Sequence, residues 1–105
     1  MAVAQASGGH VPAYFVPQAW IDPTDPINFA YFTDVEVQIV GAPGANYTPY
    51  RSLDGGTTYV ACNAYDKDGA KVAAISAAGI YSLPGGAMLK LTGGSGSTVY
   101  VRAGV

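Results

Sequence analysis

Turn signals divide this chain so often that nothing long and helical fits between them. They stand at residues 41–46 (GAPGAN), Asp54-Gly55-Gly56, Asp66-Lys67-Asp68-Gly69, Pro84-Gly85-Gly86 and residues 93–97 (GGSGS). Glycine supplies the positive φ that tight turns need, and Asp bonds its own backbone there. Short segments set off at roughly 8–12-residue spacing are the signature of an all-β sandwich or small barrel.

The segments between the turns fit that reading. In residues 32–40, Val35, Val37 and Ile39 alternate with Asp34, Glu36 and Gln38, the period of a half-buried strand. In residues 98–103, Val99, Val101 and Ala103 face one way and Thr98, Tyr100 and Arg102 the other. Residues 51–65 (RSLDGGTTYVACNAY) read as the organising hairpin, with residues 47–53 going up and 57–65 returning around Asp54-Gly55-Gly56. Residues 78–83 and 87–92 read as two further strands. Residues 71–76 admit a strand or a short helix ending at Gly79, and β-branched Val72 and Ile75 in so short a run favour strand. The expectation is a single small β-sandwich or barrel of seven or eight short antiparallel strands.

Residues 1–30 differ. Pro12, Pro17, Pro23 and Pro26 punctuate a stretch that carries Tyr14, Phe15, Val16, Trp20, Ile21 and Phe29. Proline excludes helix interior and restricts the segment to extended, edge or turn structure. The reading is an extended arm, residues 1–30, ahead of a sandwich domain, residues 31–105. So apolar an arm lies on its own domain or on a neighbour, with Tyr14, Phe15, Trp20 and Phe29 as its anchors. Deleting residues 1–27 is expected to leave a folded domain that no longer oligomerises or binds its partner.

Composition narrows the function classes. Charged residues make up 11% of the 105 residues, against about 25% in an ordinary domain. Polarity then falls to Gly, Ser, Thr, Asn and Tyr, which hints at surface covered in an assembly. Five Lys and Arg at a net charge of −2 argue against nucleic acid. No apolar run approaches the ~18 residues of a membrane span. The start has neither a basic nor an apolar signal region, so synthesis and assembly inside a cell are expected.

No catalytic set is legible. The one His is His10 in the arm, and the one Cys is Cys62, read as an inert strand thiol that excludes any intrachain disulfide. No metal-ligand spacing or phosphate-cradling loop is present, so neither enzyme activity nor a cofactor is expected. Asp66-Lys67-Asp68-Gly69 lacks the remaining ligands of a calcium loop and reads as a turn. Asp22, Asp25, Asp34 and Glu36 read as solvated acids. Gly79-Ile80-Tyr81 resembles a tyrosine corner, where the hydroxyl bonds upstream backbone. Tyr47, Tyr50, Tyr59, Tyr65 and Tyr100 exceed what one small core takes, and suit a subunit interface or sugar stacking.

Between Tyr50 and Val101 the order SLDGGTTY, a DxDG turn, AAGIYSLPGG and GGSGSTVYV resembles small β-sandwich virion proteins of tailed bacteriophages, of the capsid decoration (cement) or head-fibre type. The resemblance covers about half the chain and rests on turns and strands. It implies a structural protein of the virion, assembled in the host cytoplasm. It further implies a homo-oligomer, a trimer favoured and a dimer possible, seated on the major capsid protein or another virion protein, with its arm clasping neighbours. A carbohydrate-binding or adhesion module, or a tail component, is the alternative.

Overall fold

The computed structural model describes residues 14–104, with side chains from residue 16. Ten strands are formed: β1 (Tyr14–Ala19), β2 (Ile27–Asn28), β3 (Asp34–Val40), β4 (Thr48–Ser52), β5 (Val60–Ala61), β6 (Ala64–Tyr65), β7 (Lys71–Val72), β8 (Gly79–Pro84), β9 (Met88–Thr92) and β10 (Thr98–Gly104). They make a six-stranded sheet, β1-β10-β3-β8-β6-β7, and a four-stranded sheet, β2-β9-β4-β5. Every pairing is antiparallel. The all-β sandwich expected from the turn spacing is the fold observed.

Period-two alternation makes the core. β3 lies between β10 and β8, so Ala103–Val35–Leu83 and Val101–Val37–Tyr81 form continuous inner rows. Opposite them, Leu89 and Leu91 of β9 are fully buried. Each such side chain stabilises the fold by roughly 1.5–3 kcal/mol relative to exposure. The Tyr81 hydroxyl donates to the Ala77 carbonyl at 2.8 Å, the tyrosine-corner bond expected from Gly79-Ile80-Tyr81.

Residues 14–30 are part of this sandwich. β1 pairs with β10, and Pro17 falls where the register shifts between Phe15 and Gln18, an irregularity on an edge strand that tolerates its missing N–H. The Trp20 amide bonds the Val99 carbonyl, and the Leu91 amide bonds the Pro23 carbonyl, so the chain is tied first to one sheet and then to the other. Trp20 is 4% exposed and Phe29 0%. Their rings meet edge to face at 6.2 Å, with Phe32 beyond Phe29 at 6.4 Å. Trp20 and Phe29 are therefore core residues and not free anchors. Of the two places open to the arm, its described part takes its own domain. Residues 1–13, with His10, and the side chains of Tyr14 and Phe15 lie outside the described residues.

The hairpin at residues 51–65 is looser than its sequence suggests. Tyr50 pairs with Ala61 and Arg51 with Val60, so β4 and β5 are joined by residues 53–59 and not by a two-residue turn. The expected return strand is also split. β5 stays in the four-stranded sheet, whereas Ala64 and Tyr65 join the six-stranded one. Residues 71–76 contain the short strand β7 and then a bridge from Ile75 to Tyr47; no helix forms among the described residues.

The 53–59 loop is built on one carboxylate. Asp54 Oδ1 accepts from the Ser52 hydroxyl at 2.7 Å, the Thr58 amide at 2.9 Å and the Thr57 amide at 3.1 Å. These donors, the Ser52 hydroxyl first, lower its pKa from 3.8 to about 2. A folded pKa below the unfolded one contributes stability that is present above about pH 4 and lost as pH falls through about 2. The melting-temperature gap between wild type and Asp54→Asn is therefore expected to be widest above pH 4 and to close towards pH 2. Thermal melts across that range check it, and a gap constant with pH contradicts the role given to Asp54.

Candidate functional site

Two surface features stand apart from the packing just described. The first is the outer face of the six-stranded sheet. There the register aligns Tyr100–Gln38–Ile80 in one row and Arg102–Glu36–Ser82–Tyr65 in the next. Ile80 is 50% and Tyr100 40% exposed. Pro17, Glu36, Gln38, Ile80, Tyr100 and Arg102 line a shallow depression of about 220 Å³. Beside it Arg102 Nη2 contacts Glu36 at 2.6 Å and Asp34 at 3.1 Å, and its Nε donates to Glu36 at 2.9 Å. The Glu36 bond first, then Asp34, pushes the Arg102 pKa above its ordinary value, so the guanidinium stays charged and paired. The face thus carries an apolar strip beside a paired guanidinium, with one carboxylate charge in excess.

The second feature is a cleft of about 690 Å³ at the margin where the chain crosses from β5 to β6. Arg51 and Val60 line it from the four-stranded sheet, Tyr65 and Pro84 from the six-stranded one. Cys62 lies here too, half-buried. Burial raises its pKa while nearby Arg51 works the other way, so at neutral pH it is a thiol and not a thiolate nucleophile.

The tyrosines expected to serve an interface or sugar stacking are divided among three places. Tyr47 is buried in the core, its hydroxyl 3.5 Å from the Ser97 carbonyl, and is not an interface residue of the isolated fold. Tyr50 sits opposite Lys90 on the outside of the four-stranded sheet, and Lys90 Nζ lies 4.2 Å from the centre of the Tyr59 ring. Tyr65 and Tyr100 remain exposed on the six-stranded sheet.

The acids separate likewise. Asp34 and Glu36 hold Arg102, whereas Asp22 accepts from the Thr24 amide and hydroxyl within its own turn. Asp66 Oδ1 accepts from the Asp68 and Ala70 amides, each at 2.9 Å, so that segment is a self-bonded turn as expected. Among the described residues no group of three or more His, Cys, Asp or Glu is placed to hold a metal ion.

Ile80, Val40 and the Arg51 cleft were not singled out by sequence reasoning. The outward places of Ile80 and Val40 follow from the same alternation that put Val37 and Ile39 inside. Nothing local marked Arg51. Comparison with family models, curated proteins and solved structures finds no match to this chain.

Proposed function

We propose that this chain is a structural protein of a virus particle, of the capsid-decoration type, which seats on neighbouring protein through the outer face of its six-stranded sheet. The observation that carries the reading is the exposed Tyr100–Gln38–Ile80 row beside an ion pair that is already satisfied. Covering the charged cluster carries a desolvation cost, but Arg102 enters the contact already paired, so the apolar row and not the ions would supply the binding energy. The apolar row supplies the contact, and aromatic residues are enriched at interface centres. The low charge of the whole chain points the same way, and the choice of a virion rests on the turn-and-strand motif resemblance read from the sequence. Binding only to assembled subunits would shift the shell towards its intact state by the binding free energy.

On this reading the chain forms a homo-oligomer, a trimer in the favoured form, assembled in the host cytoplasm and carried on the virion. Trp20 and Phe29, being core residues, take no direct part. Light scattering after size exclusion and co-sedimentation with purified shells test it. Wild type is expected to oligomerise or sediment, and the double variant Ile80→Glu, Tyr100→Ser to do neither while melting as wild type does. Equal behaviour of the two proteins overturns the reading. Copy number per particle separates the sites: hundreds for decoration, six or twelve for a tail or fibre.

A second reading, sugar binding, is favoured by Tyr100 standing beside Gln38, a stacking ring next to a hydrogen-bonding amide. Reproducible glycan-array hits lost on Tyr100→Ala would favour it over the first.

A further inference from the structure

The two arginines have opposite surroundings. Arg102 makes three bonds to two carboxylates. Arg51 has only a long bond from Nη2 to the Gly85 carbonyl at 3.3 Å. Its Nε is buried with no partner. Among the described residues no carboxylate lies within ion-pair distance of it. The β4–β9 register puts Arg51 opposite fully buried Leu89, so the side chain starts on the core side of its sheet and runs to the margin. A buried N–H with no acceptor is unfavourable, and the guanidinium that carries it has no carboxylate partner, so an anion in the cleft would meet an unpaired charge.

The cleft it lines is shaped for such an anion. Leu53 and Val60 stand at its mouth, 75% and 63% exposed, and Tyr65 and Pro84 form the opposite wall. Asn63 adds an amide. We infer that this cleft binds a monocarboxylate carrying an apolar body, with the carboxylate on Arg51 and the body against Leu53, Val60 and Tyr65. A phosphate suits it less. One guanidinium does not balance two charges, and Asp54, on the same rim, is kept ionised by its loop donors and would repel a dianion. Arg is suited to this work because its planar fork meets a carboxylate with paired N–H donors. The site touches the outer sheet face only at Tyr65 and includes none of the Tyr100–Gln38–Ile80 row, so neither reading depends on the other.

The carboxylate could come from a small organic acid or from a peptide. Titrations followed by amide NMR shifts would use benzoate, N-acetylphenylalanine and acetyl-Ala-Glu-Ala-amide, with benzamide, N-acetylphenylalanine amide and acetyl-Ala-Gln-Ala-amide as uncharged matches. At least one carboxylate is expected to shift the amides of Arg51, Val60 and Cys62, and to bind at least tenfold more tightly than its uncharged match. Benzoate alone indicates a small acid, the glutamyl peptide alone a peptide side chain, and both a shared headgroup site; each supports the inference. Arg51→Gln should abolish the preference. No carboxylate binding, equal binding of acid and amide, or an unchanged preference in Arg51→Gln overturns it. The amide controls use unaltered protein, so the inference stays open to refutation even if the variant does not fold.

Discussion

Gly85→Ala is expected to destabilise this protein by about 3 kcal/mol or more, at the upper end of what overpacking costs. A Cβ at position 85 would stand 2.1 Å from the Phe32 carbonyl oxygen, 2.8 Å from Thr33 Cα and 2.9 Å from the Thr33 carbonyl carbon. All three neighbours are backbone, so no side-chain rotation can relieve the clash. The surrounding segment cannot drift either, because the Gly86 amide bonds the Phe32 carbonyl at 2.8 Å. At 105 residues such a loss lowers Tm by roughly 12–24 °C. Gly86→Ala is the informative control. It has a φ of +74° and nothing within 4 Å of the added methyl, so it carries backbone strain of about 1–2 kcal/mol and no clash. Denaturant unfolding of the two variants compares them; equal losses would mean that the crossing adapts and that close approach is not what requires Gly85.

That crossing also marks the limit of what the sequence made legible. Strand alternation in Val35/Val37/Ile39 and Val99/Val101/Ala103 is a local property, as is the self-bonded Asp66 turn, and both are found where expected. Sheet membership is not local. Pro84-Gly85-Gly86 and residues 93–97 look like hairpin turns, yet β8 to β9 and β9 to β10 each change sheets. The same composition serves either connection, and the difference lies in what passes close by: the 32–33 backbone at Gly85, the Tyr47 ring at Gly94. Tyr47 was expected at an interface for the same reason, since only the fold brings Ile75 alongside it. An edge strand with a proline and an extended arm likewise share one local signature, so β1 could not be told from an arm. The Arg51 cleft depends on two sheets meeting, which no single segment encodes.

Removing residues 1–27 is therefore expected to unfold the protein, not to leave the independent domain that the arm reading implied. The cut takes β1, Trp20 and Ile27, the last of which pairs with Leu89. It takes Trp20, one of the two edge-to-face partners of Phe29. Loss of a buried aromatic alone costs about 3–5 kcal/mol, and a domain of this size is stable by only about 5–15 kcal/mol. The cut also uncovers β10, a seven-residue strand whose unpaired edge would invite association with other chains. Circular dichroism should find no cooperative melt, and size exclusion should find aggregate. Phe29→Ala supplies the graded version: Phe29 is fully buried, so the full-length variant should still fold but lose about 3–5 kcal/mol in urea unfolding. If the truncated chain melted cooperatively near the wild-type temperature, residues 14–27 would be a detachable arm after all. The contacts of Trp20 would then be incidental to the fold, and its ring would return to the set of partner-binding residues.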